Sequence, residues 1–535
     1  MTDRAGESLT AVSGQKGFLG WVERNGNRLP DPVFIFFYLI IVLIAVSVVC
    51  DLLNVYALHP TQTDESGAPR VENAVSLLAA ENIQRLWSEM PQTFTRFHPL
   101  GYVLVVMLGA GVAERSGLFS SAIRGAVRSA PKAILTPAVA LVAMLSNHAA
   151  DAGYVVMIPL AAIIFAAAGR NPLAGIAAAF AGVSGGFSAN IAPGSLDALL
   201  FGITQSSYEA SQIDAGWAMN IAGNWWFIIT LLLVYLPIVW FVTDKIVEPR
   251  LGKWTPASGG DTAVYTDEDA PLSSEQKRGL AHAGWAMLGV CLFWVFMTFG
   301  PGTPLLNDGP GMEDARWYVV AGPFFQSMIA AFLVLFLAGG WAYGRAAGTI
   351  KSKQDVVDMM SDAMKDLGYY LVLAFAAAHF VAMFGWSNLG LISAVHGANA
   401  IESSGLPLPV VLGLIVLFSA LLNLFVGSAS AKWALLAPVL VPMLILLGIS
   451  PDGATAAFRV GDGATNIISP LMVYFPLVLI FAQRWQKNFG IGSLTAMMIP
   501  YSIWMLVSGV VLMMLWLFLG LPLGPGAPAE IAIPS

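Results

Sequence analysis

Arg459 and Asp462 stand three residues apart inside an apolar stretch that runs, nearly unbroken, from Leu408 to Ala482. A charge at the bilayer centre costs about 2.5–3.5 kcal/mol on insertion scales, so it is rare there without a task. At i, i+3 the two charges share a helix face. Gly463-Ala464-Thr465-Asn466-Ile467-Ile468-Ser469-Pro470 follows, a segment broken by glycine and proline. Backbone that leaves a helix at membrane depth is tolerated only inside protein or along a cavity. Charges beside such a break have the chemistry of a site that holds polar cargo.

Other residues near breaks extend that chemistry. Helix starts at a break present free N–H groups and a dipole favourable to anions. Unwound carbonyls, with the side-chain oxygens of Asn190, Asn466, Ser146, Ser428, Ser430 and Thr465, suit Na⁺; the bland alternative is that these side chains only satisfy broken backbone. Asp462 is a candidate coupling carboxylate, binding Na⁺ or accepting a proton, or else a structural partner of Arg459. Both readings hold if Arg459 keeps Asp462 ionised until an anionic substrate competes for the guanidinium. Asp197, in Gly194-Ser195-Leu196-Asp197, either belongs to the site or lies at the outer interface. Trp433, beside Lys432, either stacks on an aromatic substrate or fills a helix interface. Asp151, His148 and His379 are weaker candidates, and Glu114 marks the end of a span.

The elements that position these groups follow from composition. Hydrophobic residues make up 57% and charged residues 11%, against about 25% charged in an average soluble domain. Apolar runs near 32–53, 99–114, 173–188, 216–243, 279–299, 318–342, 367–386, 454–482 and 493–520 have the length a membrane span needs. Two further stretches, 133–168 and 408–447, are interrupted midway by small polar residues. If both are re-entrant hairpins that return to their own side, nine spans remain and twenty of the 26 Lys and Arg fall on one side of the membrane, the cytoplasmic one. The expected architecture is therefore all-α: nine transmembrane helices plus two opposed re-entrant hairpins. An inner segment 1–31 leads into a first half, 32–243, and a polar inner linker, 244–278, into a second half, 279–520. The tail 521–535 lies outside, so the N-terminus is cytoplasmic and the C-terminus periplasmic in a bacterial inner membrane. Residues 51–98 form a long outer loop, and 115–130 is a basic amphipathic stretch suited to the inner surface.

Several classes fall away. A net charge of −7 and a pI near 5.4 give no sign of a nucleic-acid partner. Cys50 and Cys291 suggest no disulfide framework. The polar N-terminal stretch lacks the plan of a signal peptide. Walker A, Gly-x-Ser-x-Gly and His-Glu-x-x-His patterns do not occur. No tightly bound cofactor is expected, and energy for uphill movement must come from an ion gradient.

The two interrupted stretches resemble each other. Ser146-Asn147-His148, a helix through Pro159, a turn at Gly169–Pro172 and then Gly186-Phe187-Ser188-Ala189-Asn190-Ile191-Ala192-Pro193 match a second series. That series is Gly427-Ser428-Ala429-Ser430, a helix through Pro438 and Pro442, a turn at Ser450–Gly453, and Gly463–Pro470. By the loop assignment one enters from inside and the other from outside. Similar sequence in opposite topology is an inverted repeat with discontinuous helices, whose substrate and ion sites lie where the repeats meet.

Long motifs then make the chain resemble a known family. Gly20-Trp21-Val22-Glu23-Arg24-Asn25-Gly26-Asn27, Thr243–Gly252, Phe380–Asn388, Gly427–Pro442 and Arg459–Pro470 are similar to those of the AbgT transporters, more to their MtrF and YdaH branch than to the founding p-aminobenzoyl-glutamate importer. The resemblance implies a homodimer of nine-span protomers with two opposed hairpins, forming a bowl open to the cytoplasm. It also implies p-aminobenzoyl-glutamate uptake or export of folate-pathway antimetabolites such as sulfonamides. On matching positions it implies functional Asp197, Ser430, Trp433, Pro451, Arg459, Asp462 and Pro470. The expected function is ion-coupled transport of p-aminobenzoate-like aromatic anions, first as export in exchange for H⁺ and second as Na⁺-coupled import. In that mechanism Asp462, Asn190 and Asn466 form the cation sites. A channel and a membrane-embedded enzyme using Ser430 or His148 are the rival classes.

Overall fold

The computed structural model describes residues 31–532 apart from 129–130, 132–133, 150–152, 255–270, 308, 310–311 and 313–314. The segment 1–30 with its Gly20–Asn27 motif, Asp151 and the middle of the 244–278 linker lie outside the described residues.

Helix α1 (Pro32–Leu52) starts on a proline, which needs no N–H partner at a helix start, and Asp31 caps it by accepting the Val33 N–H at 2.9 Å. The segment after it carries an antiparallel hairpin, β1 (Tyr56–Thr63) and β2 (Pro69–Asn73), then α2 (Ala80–Ser88) and α3 (Met90–Thr95). It is more structured than the loop expected there. Helix α4 (His98–Arg115) bends by 64° into the amphipathic α5 (Leu118–Arg128). The chain turns there at Gly117, whose φ of +89° suits a residue without a Cβ. The first interrupted stretch is α6 (Leu135–Leu145), a 3₁₀ turn at Ser146–Ala149, a wide turn at Gly153–Met157, and α7 (Ile158–Ala167). Helix α8 (Pro172–Phe180) loosens into a π turn, Ala181–Gly185, and the chain is irregular until α9 (Ser195–Ser211). Helix α10 (Trp225–Leu251) closes this half.

The second half contains α11 (Ser274–Phe299), α12 (Met328–Ala347), the polar connecting helix α13 (Lys353–Asp366), α14 (Gly368–Trp386) and α15 (Leu389–Ser403). The second interrupted stretch is α16 (Leu408–Asn423) and α17 (Ala429–Leu446), and α18 (Pro451–Asn466), α19 (Phe475–Trp485) and α20 (Ile491–Phe518) follow. In each interrupted stretch one arm packs mainly on a discontinuous helix rather than on its own mate: α7 along α8, and α16 along α18.

Among the described residues, seven helices (α1, α10, α11, α12, α14, α17 and α20) are long and apolar enough to cross a membrane, and the bent α4–α5 pair makes an eighth. Seven of the nine expected spans are matched, since 173–188 and 454–482 are broken, and the remaining helix of spanning length, α17, is an arm of the expected re-entrant stretch 408–447. The stretch 454–482 divides into a polar α18 and a short α19. Two boundaries also shift. The span expected from 216 starts at Trp225, since Asn220 and Asn224 turn their side chains onto backbone carbonyls at Pro525 and Asp452. The span expected from 318 starts at Met328, after two short helical turns at Trp317–Val320 and Gly322–Gln326.

The interior is built from small residues. All nine residues of α8 and all sixteen of α18 are buried, while α11 exposes Trp285, Leu292, Phe293 and Phe299. Residues 521–532 are tied down over the α17–α18 turn: Ala529 O accepts the Ser450 N–H at 3.0 Å and Leu523 O accepts the Phe227 N–H at 3.0 Å. At the other end of the first half, Arg170 donates to Thr136 (2.7 Å), Asp244 (2.6 Å) and Glu248 (3.1 Å). Burial works against the Arg170 charge, but its bonds to Glu248 and Asp244 outweigh that and hold it above its ordinary value.

Candidate functional site

Helix α18 is the axis of the site. Ser450 caps it by accepting the Gly453 N–H at 3.1 Å, and Pro451 occupies its first turn. It ends at Asn466, and Pro470 sits in the irregular link that leads to α19. Its sequence is rich in glycine and alanine because other backbones press against it. A Cβ on Gly461 would stand 2.1 Å from Val416 O, and one on Gly463 would stand 2.9 Å from Gly185 O. The second contact joins the two broken segments that the sequence pairs as repeats. Ser188 Oγ donates to Arg459 O at 3.2 Å at the same crossing, and Asn466 Nδ2 approaches Ser184 O at 3.5 Å.

The expected Arg459–Asp462 pair does not form. Arg459 Nη1 donates to Asp197 Oδ1 on α9 at 2.8 Å, and Asp462 is paired with Lys432 on α17. Residues at i, i+3 point to neighbouring sides of a helix, and each side here meets a different helix carrying the opposite charge. Asp197 is therefore part of the interior rather than of the outer interface. It is 8% exposed, and its Oδ2 accepts the Gly194 N–H at 2.8 Å. Arg459 is 2% exposed and its Nε has no hydrogen-bond partner. Lys432 and Asp462 are fully enclosed.

Asn423, at the end of α16, organises the second pair. It accepts from Lys432 Nζ, and its amide reaches Asp462 O (2.6 Å), Asn466 Oδ1 (2.9 Å) and Thr465 Oγ1 (3.0 Å). Of the oxygens expected to receive a cation, Asp462, Thr465 and Asn466 are thus brought together. The others bond elsewhere. Ser146 Oγ donates to Ala143 O at 2.6 Å, and Asn190 Nδ2 approaches Met144 O at 3.5 Å. Ser428 Oγ accepts the Ala431 N–H at 3.3 Å and lies 3.1 Å from Ser430 Oγ. His379 Nδ1 bonds to Phe375 O within its own helix, while its Nε2 is buried without a partner among the described residues.

Trp433 is completely buried. Its ring stacks on Phe458 at 4.6 Å between centroids, and its Nε1–H donates to Thr204 Oγ1 at 2.9 Å. Thr204 Oγ1 in turn lies 2.8 Å from Thr455 Oγ1. The indole is a packing and hydrogen-bonding group in this conformation, with one face already taken.

A narrow polar cleft with free space of about 10 Å³, room for about one water, lies beside the Arg459–Asp197 pair, walled by α9, α18 and the turn before α10. Thr204, Thr455, Trp217 and Asp452 line it. That space is far below the roughly 300–1,000 Å³ usual for ligand pockets, so an aromatic anion needs substantial movement to enter. Sequence reasoning passed over Lys432, Asn423, Thr204, Trp217 and Asp452. Lys432 and Asn423 carry the available signal, as a charged and a polar residue in helices that are otherwise nearly apolar.

Comparison with known proteins supports a transporter. The p-aminobenzoyl-glutamate transport protein of Escherichia coli strain K12 is 36% identical over 516 residues, 96% of this chain and 97% of that one. The solved YdaH transporter of Alcanivorax borkumensis, described as having an unusual topology, is 40% identical. Its TM-score is 0.84 over 93% of this chain and 100% of that one. MtrF of Neisseria gonorrhoeae, described as illuminating a class of antimetabolite efflux pumps, is 38% identical, with a TM-score of 0.86 over 96% of this chain and 100% of that one. The model of the "AbgT putative transporter family" matches residues 17–531. The chain is a membrane transporter, not an enzyme, and it belongs to the AbgT family.

Proposed function

We propose that this transporter moves p-aminobenzoate-like aromatic anions, exporting sulfonamide-type folate antimetabolites in exchange for protons. The observation that carries the reading is the Arg459–Asp197 pair. It joins α18 to α9, that is, one half of the chain to the other, at the wall of a polar cleft. A substrate carboxylate or sulfonamide can replace Asp197 on the guanidinium, whose Nε is still unpartnered, as Arg suits planar anions. Breaking that contact releases one half from the other and couples occupancy to movement. Trp433 receives the substrate ring in exchange for its Phe458 contact, while Ser430, Pro451 and Pro470 shape the ends of α17 and α18 that must shift. The MtrF description supports efflux.

In the bilayer the protomer is read as nine spans with two opposed re-entrant stretches, N-terminus inside and C-terminus outside, in the bacterial inner membrane as a homodimer. The name of the Escherichia coli relative favours a second reading, Na⁺-coupled import of p-aminobenzoyl-glutamate. Asp462, Thr465, Asn466, Asn190, Ser146 and Ser428 would then supply oxygens, and Na⁺ would have to displace the Lys432 ammonium from Asp462. Radiolabelled p-aminobenzoyl-glutamate and sulfonamide flux in proteoliposomes, under separately imposed proton and sodium gradients, decides between them. Uphill flux on a proton gradient alone is expected; dependence on sodium alone would replace the first reading by the second.

A further inference from the structure

We infer that Asp452 is the carboxylate that carries the coupling proton; the inference rests on the proton-coupled reading above. Four carboxylates of the described residues are buried: Glu72, Asp197, Asp452 and Asp462. Three are neutralised in place by a cation, Glu72 by Arg70, Asp197 by Arg459 and Asp462 by Lys432. Protonating Asp197 or Asp462 would leave a buried guanidinium or ammonium without its counter-charge, which is strongly unfavourable. Among the described residues Asp452 has no ion-pair partner. With all groups ionised, the interior cluster of Asp197, Asp452, Asp462, Lys432 and Arg459 holds three negative and two positive charges, and one proton on Asp452 balances it.

The surroundings of Asp452 suit a proton. Its Oδ2 accepts the Trp217 Nε1–H at 2.7 Å, and Oδ1 is left to carry the proton. Oδ1 lies against Gly223, where a Cβ would stand 2.1 Å away, so the missing side chain makes its room. Asn224 Oδ1, buried with no donor, lines the same cleft and is an acceptor for a proton-bearing group there. The charged groups sharing the cleft are Asp197 from α9 and Arg459 from α18 itself. The covering turn and tail add Asp214 and Glu530, both exposed and outside the lining. Asp452 and Arg459 stand seven residues apart on α18, roughly 10 Å along its axis, with Thr455 between them on the cleft wall. A proton at Asp452 therefore alters the charge beside the guanidinium that the substrate must claim.

The test uses the full chain in proteoliposomes with radiolabelled p-aminobenzoyl-glutamate, reading gradient-driven accumulation, substrate-for-substrate counterflow and the pH-difference infrared spectrum. Asp452→Asn keeps an acceptor for Trp217; it should lose accumulation and one carboxylic C=O band, with counterflow reduced far less than accumulation. Trp217→Phe, with Asp452 intact, should shift the pH at which that band appears, and it serves if Asp452→Asn does not fold. Gradient-driven accumulation persisting in Asp452→Asn, or a band unmoved in both variants, overturns the assignment. A wild type in which substrate and proton move in the same sense, with coupling lost in Asp452→Asn, upholds Asp452 and overturns exchange. A wild type that ignores proton gradients and shows no titrating carboxylic band sinks both.

Discussion

Arg459 and Asp462 leave α18 less than one turn apart and end in unlike surroundings. The Arg459–Asp197 pair spans the two halves of the chain, borders a cleft, and keeps an unpartnered guanidinium nitrogen. Lys432 and Asp462 both come from the second half, are sealed from solvent, and are backed by Asn423, which also bonds to Thr465 and Asn466. The first pair can open toward a ligand without exposing a bare charge to hydrocarbon. The second has nowhere to send either charge. One is suited to recognition, the other to fixing α16, α17 and α18 together, and adjacency in sequence conceals that division.

The sharpest way to break this contrast is to unpair the sealed site. Lys432→Met leaves Asp462 buried and alone, and breaking a buried pair from one side costs about 3–5 kcal/mol. Lys432→Met with Asp462→Leu should recover most of that loss, since replacing both members of such a pair is often neutral. Thermal unfolding of the purified variants in detergent measures both. If the single variant is as stable as wild type, the sealed pair is not a structural clamp.

Asp197→Asn probes the other pair: it also leaves a buried guanidinium without its counter-charge, but the amide oxygen can still accept from Arg459 and the cleft lies beside it, so the loss should fall at the low end of about 3–5 kcal/mol. Its larger consequence is functional. Freed from its carboxylate, Arg459 should bind p-aminobenzoyl-glutamate more tightly while turnover falls, and Arg459→Ala should abolish binding. Equilibrium binding and flux measured together separate the two effects. Equal stability losses at Asp197 and Lys432, with binding unchanged, would remove the distinction between the pairs.

The breaks and the charges at 459 and 462 are legible in the sequence because glycine, proline and ionised groups in apolar runs have few structural excuses. Their partners are not, since spacing along one helix says nothing about what other helices bring to it. Asp452 is hidden for a different reason: Ser450-Pro451-Asp452-Gly453 reads as an ordinary turn and helix cap, and only the fold encloses it. Small polar residues in mixed sequence also conceal α15, while Pro60 within Tyr56–Thr63 obscures the β1–β2 hairpin. Trp433 shows the limit of residue type, because the indole that suggests stacking on a substrate already stacks on Phe458.

Gly463→Ala tests whether the crossing of the two broken segments matters to both pairs. The added methyl would sit 2.9 Å from Gly185 O and 3.3 Å from Phe187, and overpacking of this kind costs about 1–3 kcal/mol. Transport should fall with it, because the crossing holds Arg459 O against Ser188. Loss of transport with unchanged melting would mean that the contact acts only during movement.

The smallest effect is expected from Trp433→Phe. A phenyl ring keeps the contact with Phe458 but removes the donor to Thr204, whose hydroxyl still has Thr455 and Leu200 O within reach. The expected loss is about 0.5–1.5 kcal/mol, the net worth of one neutral hydrogen bond. Because Thr204 lines the cleft shared by Arg459 and Asp197, the variant should weaken aromatic substrates and leave the Lys432–Asp462 clamp unaffected. Paired with Lys432→Met, it should show additive stability losses if the two regions are independent. Non-additive losses would mean that Trp433 and Lys432, neighbours on α17, transmit strain between the recognising pair and the sealed one.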